Sequence, residues 1–585
     1  MDQTEPPPGC LVLLLRLSAG MTADVTTSRG EVPAFAAARQ LADELLEGLV
    51  NTAVGGYAVG ALDVAVLGYR TSEDGAPQLL SLLPDGDPKA RFVPLARVAE
   101  MPAVPRGGEG QPRKWAVLPA CEGEPCAGTA LASVYQMVAV WLTGRFASRA
   151  PVVVHCTGPD ALDEAYYCVA RSLGLLATAH GPARLLHYVF DSAPESEQSE
   201  RPAEVPTEPT ARRAVFVNDW DINDPWDAIF TYAPHEDGVA WAEAGAGFAP
   251  AKSMWAQKMG NSPEQWEDAF ALNEAGGAAA IADGASSGIY CSIWAQQLSR
   301  RFLSDRPDTR DPIPLNKWVN GLRTEWRTAI NYSNLNWSKQ AKVDQVGAAA
   351  TLLGLELGPA DEKGLRPWKA CAVGDASLFW VRAGRLLATF PVVAADQFGS
   401  APLLVRSNPG FRTVALGAAG TCEPDDRFIL ATDAVAARLF KSTAVGPGVD
   451  WTRLEALGED EWRAEMDTLR SANDMVNDDC TLVVLRVSGG ASEASASEAS
   501  ASEASASEAS ASEASRERER PEEVPTPSAE PPVAYAPGSP EIASAFIASD
   551  AGDLMIDLPH DPPAPLPDEP PAARDGFPES TDPGV

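Results

Sequence analysis

Unbroken apolar runs of strand length alternate, in the first third of the chain, with stretches whose apolar positions recur at helical spacing. Cys10-Leu11-Val12-Leu13-Leu14-Leu15 offers no polar position to water and reads as a strand buried on both sides. Phe35, Leu41, Leu45 and Leu49 fall near one face of a helix over 34–50. Leu62–Tyr69, Pro151–Thr157 and Arg184–Phe190 repeat the strand pattern, and Gly128–Leu142 and Ala161–Leu173 the helical one. Strands alternating with helices predict an α/β doubly wound parallel sheet over residues 9–192.

Glu, Pro, Ser and Thr then dominate, and 193–213 reads as a linker. Residues 214–488 form the second expected unit. Its opening, with Trp220, Trp226, Trp241 and Trp255 among Gly, Ala and Asp, suits either leading strands or an ordered connector. Further on, the small-residue run Ala279-Ala280-Ile281-Ala282 predicts a buried strand, Asp283-Gly284 a tight turn, and Ser286 onward a helix start with hydroxyls near its N-cap. Gly347–Leu355 reads as a strand and Leu378–Leu387 as a hairpin. Beyond 488 the chain repeats Ala-Ser-Glu-Ala-Ser five times between Ala491 and Ser515 and continues rich in Pro and acid. With no apolar stripe to bury, 489–585 is expected to be a disordered, acidic low-complexity tail.

Composition narrows the functional classes. A chain of 585 residues is too long for one core. Its formal charge of −35, to which the tail contributes twenty Asp or Glu against four Arg, argues against a nucleic-acid partner. Nine cysteines suit a reducing compartment, and Cys121 and Cys126 have no second pair at zinc spacing. Asp2 and Glu5 precede the first apolar run and Arg16 ends it, so neither a signal peptide nor a membrane span is expected, and a cytoplasmic protein is.

The chemistry lies in acids set at strand ends. Glu267-Asp268 precedes Ala269-Phe270, Asp283 follows Ala279–Ala282, Asp375 follows Val373-Gly374, Asp433 follows Ile429–Thr432, and Asp478-Asp479 precedes Cys480–Val484. One Asp-Gly pair alone is a turn signal. Five acidic segments at strand ends are a candidate site for hard divalent cations, which take oxygen ligands.

In order and spacing these segments resemble the metal-dependent protein phosphatases of the protein phosphatase 2C (PPM) family, over about residues 240–488. The resemblance implies an α+β fold, a β-sandwich of stacked antiparallel sheets flanked by helices, with a two-metal site at one edge. It implies hydrolysis of phosphoserine or phosphothreonine in a phosphoprotein substrate by a metal-activated water, with Asp283, Asp433 and Asp478 central to the chemistry. Asp283 would bridge two Mg²⁺ or Mn²⁺ ions and the Gly284 carbonyl would ligate one. Asp433 and Asp478 would complete the other, Glu267 and Asp268 would act directly or through water, and Asp375 matches a third, weaker ion position. Three residues depart from the pattern: Pro263 where many members carry a phosphate-holding arginine, Ala285 where some carry a histidine, and Ala437 where a second acid is common. The alternative function is therefore a catalytically impaired pseudophosphatase acting as a signalling scaffold.

The element order over 9–192 resembles the von Willebrand factor A domain, whose metal-ion-dependent adhesion site opens with Asp-x-Ser-x-Ser after the first strand. Here the segment is Arg16-Leu17-Ser18-Ala19-Gly20, with a guanidinium in place of the carboxylate. The resemblance implies a protein-binding module that has lost its ion.

Overall fold

The computed structural model describes residues 7–488 except for several internal stretches, the longest being 102–114, 191–210 and 217–246. The expected tail 489–585 and Trp220, Trp226 and Trp241 lie outside the described residues. Among the described residues no helix is long and apolar enough to cross a membrane.

The first region is built on β1 (Gly9–Arg16), α1 (Ala34–Val54), β2 (Leu62–Thr71), β3 (Pro77–Ser81), α2 (Ala127–Leu142), β4 (Val152–Thr157), α3 (Glu164–Leu175), β5 (Arg184–Phe190) and β6 (Ala211–Phe216). Their order in the sheet is β6-β5-β4-β1-β2-β3, all parallel except β3, which runs antiparallel to β2 at the edge. Every residue of β1 is buried, as its unbroken apolar run predicts for the centre of such a sheet. Alternate side chains divide between two cores: Leu11, Leu13 and Leu15 pack with α1, and Val12 and Leu14 with α2 and α3. Helices cover both faces, which is the doubly wound arrangement expected. The last strand, β6, takes in the end of the segment read as a linker and the first three residues expected of the second unit, 214–216, so the boundary lies beyond 213.

The second region contains β7 (Lys252–Ala256), β8 (Ala269–Asn273), β9 (Ala278–Ala282), α4 (Cys291–Asp305), α5 (Pro312–Ala329), α6 (Trp337–Gln345), β10 (Ala349–Ala350), β11 (Leu352–Leu357), β12 (Arg366–Val373), β13 (Ser377–Arg382), β14 (Arg385–Phe390), β15 (Val405–Arg406), β16 (Leu416–Cys422), β17 (Arg427–Ala431), α7 (Asp433–Ala444), α8 (Glu459–Ser471) and β18 (Cys480–Arg486). Two five-stranded antiparallel sheets form, in the orders β7-β18-β17-β13-β14 and β8-β9-β11-β12-β16. Ile281, Leu353, Leu355 and Trp368 of one meet Leu378, Trp380, Phe428 and Leu485 of the other in a shared core. The outer faces are covered as well: Ala280 and Ala282 pack under Trp294, Leu298 and Phe302 of α4, and Ile429 and Leu482 under Phe440 of α7 and Trp462 of α8. Burial on both faces explains why β9, β17 and β18 read as continuous apolar runs rather than alternating ones.

Two local expectations change. The helix expected from Ser286 begins at Cys291, because 285–289 is held as a loop by Ala285 N–H to Ala349 O (2.9 Å) and Ile289 N–H to Gly347 O (2.9 Å). No hydroxyl caps it; Tyr290, at φ 58°, is the N-cap. The strand expected over Gly347–Leu355 divides into β10, which pairs with β15, and β11, which pairs with β9 and β12.

The helix-to-sheet distance is set by glycine. A Cβ on Gly354 would stand 2.3 Å from Cζ of Phe302, so the ring lies flat on β11 only because residue 354 has no side chain. Gly354→Ala is expected to cost roughly 1–3 kcal/mol through overpacking, read as a lower urea midpoint. In a Phe302→Leu background the same substitution should cost less, since the clashing ring is gone; equal costs in both backgrounds would refute the packing account.

Candidate metal centre

Antiparallel pairing carries the acids to one edge of the sandwich. Ala269 pairs with Ala282, so Asp268, just before β8, stands opposite Asp283, just after β9. Ala431 pairs with both Ser377 and Leu482, which brings Asp433, the first residue of α7, beside the turn containing Asp375 and the entry to β18 at Asp478 and Asp479. Gly374, at φ 103°, makes that turn in a conformation few side chains tolerate. Gly284 bridges to Ala350 and passes so near Glu267 that an added Cβ would lie 2.5 Å from its carbonyl oxygen.

Asp283 is fixed through its main chain: its N–H donates to Thr351 Oγ1 (3.0 Å) and its carbonyl accepts from Thr351 N–H (2.9 Å). Its carboxyl is held well above the ordinary aspartate range, first by burial and then by the fields of Asp268, Asp433, Asp478 and Asp375. Asp268 is 1% exposed. Its Oδ2 accepts from Thr481 Oγ1 (2.8 Å) and Thr432 Oγ1 (3.1 Å), while Oδ1 has no hydrogen-bond partner. Burial, then Asp479 and Asp433, push its carboxyl up. Asp375 is pushed up to about 7 by burial and by Asp433, and Asp433 is raised by burial and by Asp478. Glu267, half-buried, is raised chiefly by burial, against a lowering hydrogen bond with Ser286. The fields thus link Asp268, Asp283, Asp375, Asp433 and Asp478 into one set, Glu267 feels Asp479 and Asp478, and Gly284 lies beside them.

Three contributors were not legible as site residues. Asp479, 3% exposed, accepts the N–H of Lys258 on Oδ1 (2.8 Å) and the N–H of Glu267 on Oδ2 (2.8 Å), pinning two segments to the entry of β18. The Lys258 side chain crosses to Asp478 Oδ1 (3.0 Å) and to the Ser286 hydroxyl. Burial works against its charge, but the hydrogen bond and field of Asp478, with Asp479 and Glu267 adding, raise its pKa on balance. Lys258 lies nine positions before Glu267 and Ser286 three after Asp283, with no spacing signal for either.

The donor set suits a hard divalent ion: the gathered acids are all carboxylates, and the buried Asp268 Oδ1 is an acceptor lacking a donor. Among the described residues no three His, Cys, Asp or Glu side chains close around a single point. In the first region, Arg16 is buried at the end of β1 with Nη1 3.5 Å from Thr157 Oγ1.

No family model matches this chain, and no curated protein does. Solved structures similar to it include the catalytic domain of the serine/threonine protein phosphatase PstP in complex with 2 manganese ions (17% identity, 41% of this chain and 98% of that one, TM-score 0.27). PppA, a regulatory component of a secretion system in Pseudomonas aeruginosa, is similar at 17% identity over 41% of this chain and 99% of that one, TM-score 0.26. RsbX in complex with magnesium is similar at 16% identity over 41% of this chain and 94% of that one, TM-score 0.23.

A carboxyl whose folded pKa lies above its unfolded value lends stability that is whole at low pH and is lost as pH rises. For Asp375 the window runs from 3.8 to about 7. The metal-free protein should therefore melt lower at about pH 8 than at about pH 5, with Mn²⁺ raising the melting temperature more at the higher pH. Saturation to a hundred times the dissociation constant adds about 2.7 kcal/mol. Asp283→Asn should stabilise the metal-free protein at pH 8 by roughly 1 kcal/mol while blunting the Mn²⁺ shift. A melting temperature indifferent to Mn²⁺ and to this substitution would exclude a repulsive, ion-binding cluster.

Proposed function

We propose that the second region hydrolyses phosphoserine or phosphothreonine esters in a protein substrate, using Mg²⁺ or Mn²⁺ held by Asp283, Asp433 and Asp478 with Glu267, Asp268, Gly284 and Asp375 in support. The observation that carries this reading is the convergence of these carboxylates on a partly exposed edge, with Asp268 Oδ1 left without a donor. Such a set is costly to fold, and a bound cation would offset that cost.

When bound, a pair of divalent ions would lower the pKa of a coordinated water and neutralise charge on the phosphoryl group. The chain's own residues do the rest. Thr351 holds the Asp283 main chain from both sides, and Thr432 and Thr481 orient Asp268 by donating to one oxygen and leaving the other available. Asp479 ties the strand carrying Asp478 to the segments carrying Glu267 and Lys258. No imidazole follows Gly284, where Ala285 stands, so protonation of the leaving serine or threonine oxygen falls to solvent, and turnover should be slower for it.

We propose that residues 9–192 act as a protein-binding module of the von Willebrand A kind. Arg16 at the end of β1 supports a module that binds its partner without an ion. The scaffold alternative keeps one observation in its favour, the open arrangement of the acids together with Pro263, Ala285 and Ala437.

Phosphate release from a phosphoserine peptide is the direct test. The full chain with Mn²⁺ is expected to exceed both the EDTA-treated chain and Asp283→Ala by at least a hundredfold. Equal rates in all three would leave the scaffold reading, and calorimetric Mn²⁺ binding without turnover would mark a pseudophosphatase that retains its ions.

A further inference from the structure

Lys258 belongs to none of the acidic segments, yet its ammonium bonds to one of their carboxylates, Asp478, within the fields of Asp479 and Glu267. Its backbone N–H is clamped by Asp479 Oδ1 (2.8 Å), so the main chain at 258 is tied to the same carboxylate that positions Glu267. From that anchor the side chain reaches outward to Asp478 Oδ1 (3.0 Å) and the exposed Ser286 hydroxyl, and it keeps 21% of its surface in solvent. Among the described residues no other Lys or Arg donates to a carboxylate of this cluster. Arg470, the nearest alternative, is buried and spends its guanidinium on the carbonyls of Asp478 (2.7 Å) and Gln257 (3.0 Å), on Asp467 and on Cys480 Sγ.

A partly exposed lysine–aspartate pair contributes little to stability, typically under about 1 kcal/mol, so holding the fold together is a poor account of this placement. Charge gives a better one. Cations held among the acids would neutralise Asp478, and the Lys258 ammonium beside it would then turn toward solvent. The anion available to Lys258 would then be the substrate's phosphate, with the Ser286 hydroxyl beside the ammonium as a second donor. Lysine suits that task as a mobile point charge with three donors. Pro263 cannot serve, since it has neither charge nor N–H.

Resting on the phosphatase reading above, we propose that Lys258, assisted by Ser286, is the phosphate-binding residue of this site. It exchanges its hydrogen bond to Asp478 for one to a phosphate oxygen when the acids are occupied by metal.

The test uses the full chain loaded with Mn²⁺ and compares wild type, Lys258→Met and Lys258→Arg. Two readouts are taken: calorimetric titration with inorganic phosphate, and KM against kcat on a phosphoserine peptide. Lys258→Met should weaken phosphate binding and raise KM at least tenfold with Mn²⁺ affinity kept or tightened, and Lys258→Arg should recover most of the loss. Turnover by wild type with phosphate affinity and KM unmoved in Lys258→Met overturns the assignment, and leaves Lys258 a counter-ion of Asp478 while the phosphatase reading stands. Lost phosphate affinity without turnover in any variant does the opposite: it supports the anion site and sinks the phosphatase.

Discussion

Mutual repulsion among carboxylates that the backbone will not let separate is the constraint around which the second region is built. At an effective dielectric of 20, two unit charges 4 Å apart repel by about 4 kcal/mol, so several acids sharing one edge must be held there by something stiffer than their own preference. The stiffness comes from strands buried on both faces: β9, β17 and β18 are apolar along nearly their whole length and cannot slide without exposing a core. Each strand end is thereby a fixed mount. The fold offsets the repulsion only partly, with two threonine hydroxyls for Asp268 and two backbone N–H groups for Asp479. Asp479 is fully served and acts as a brace. Asp268 is served on one oxygen only, so the two carboxylates differ in how far the protein satisfies them.

The same logic explains the small residues around the site. Ala278 through Ala282 are all buried, with α4 against one face of β9 and the opposing sheet against the other. Larger side chains would push those layers apart and move Asp283 with them. Gly354 lets Phe302 lie against β11, and Gly284 lets the loop after Asp283 pass under the carbonyl of Glu267. Close approach at these positions sets the spacing of the acids as much as the acids' own rotamers do.

Much of this was legible in the sequence because it is local. An apolar run with an acid at its end names both a strand and the residue at its mouth, and Asp283, Asp375, Asp433 and Asp478 are found this way. The helical spacing over 34–50 likewise announces α1. What escaped depends on contacts between distant segments. Asp479 differs from Asp478 by one position, and only the pairing of β18 with β7 and the path of 258–267 decides which carboxylate faces inward to brace and which faces the mouth. Lys258 meets Asp478 across more than two hundred residues. The delayed start of α4 has the same origin: Ser286 carries a good capping side chain, but the partners of residues 285 and 289 are carbonyls of 349 and 347, a tertiary claim that outbids local propensity.

The two regions meet where the sandwich would otherwise be open. β14 and β16 end their respective sheets, and an uncovered edge strand invites pairing with other chains. The first region covers both: Ser172 of α3 accepts the N–H of Thr389 on β14 (2.8 Å), and Leu176 bridges to Ala418 on β16. The ion pair between Arg385 and Glu164 at the rim is about three-quarters exposed on both sides and adds little. The binding comes from burial, since Leu173, Leu175 and Leu176 join the same core cluster as Trp368, Ala418 and Phe390. The covering face of α3 is thus committed to the sandwich, and its apolar side chains belong to one core with the strands they cover.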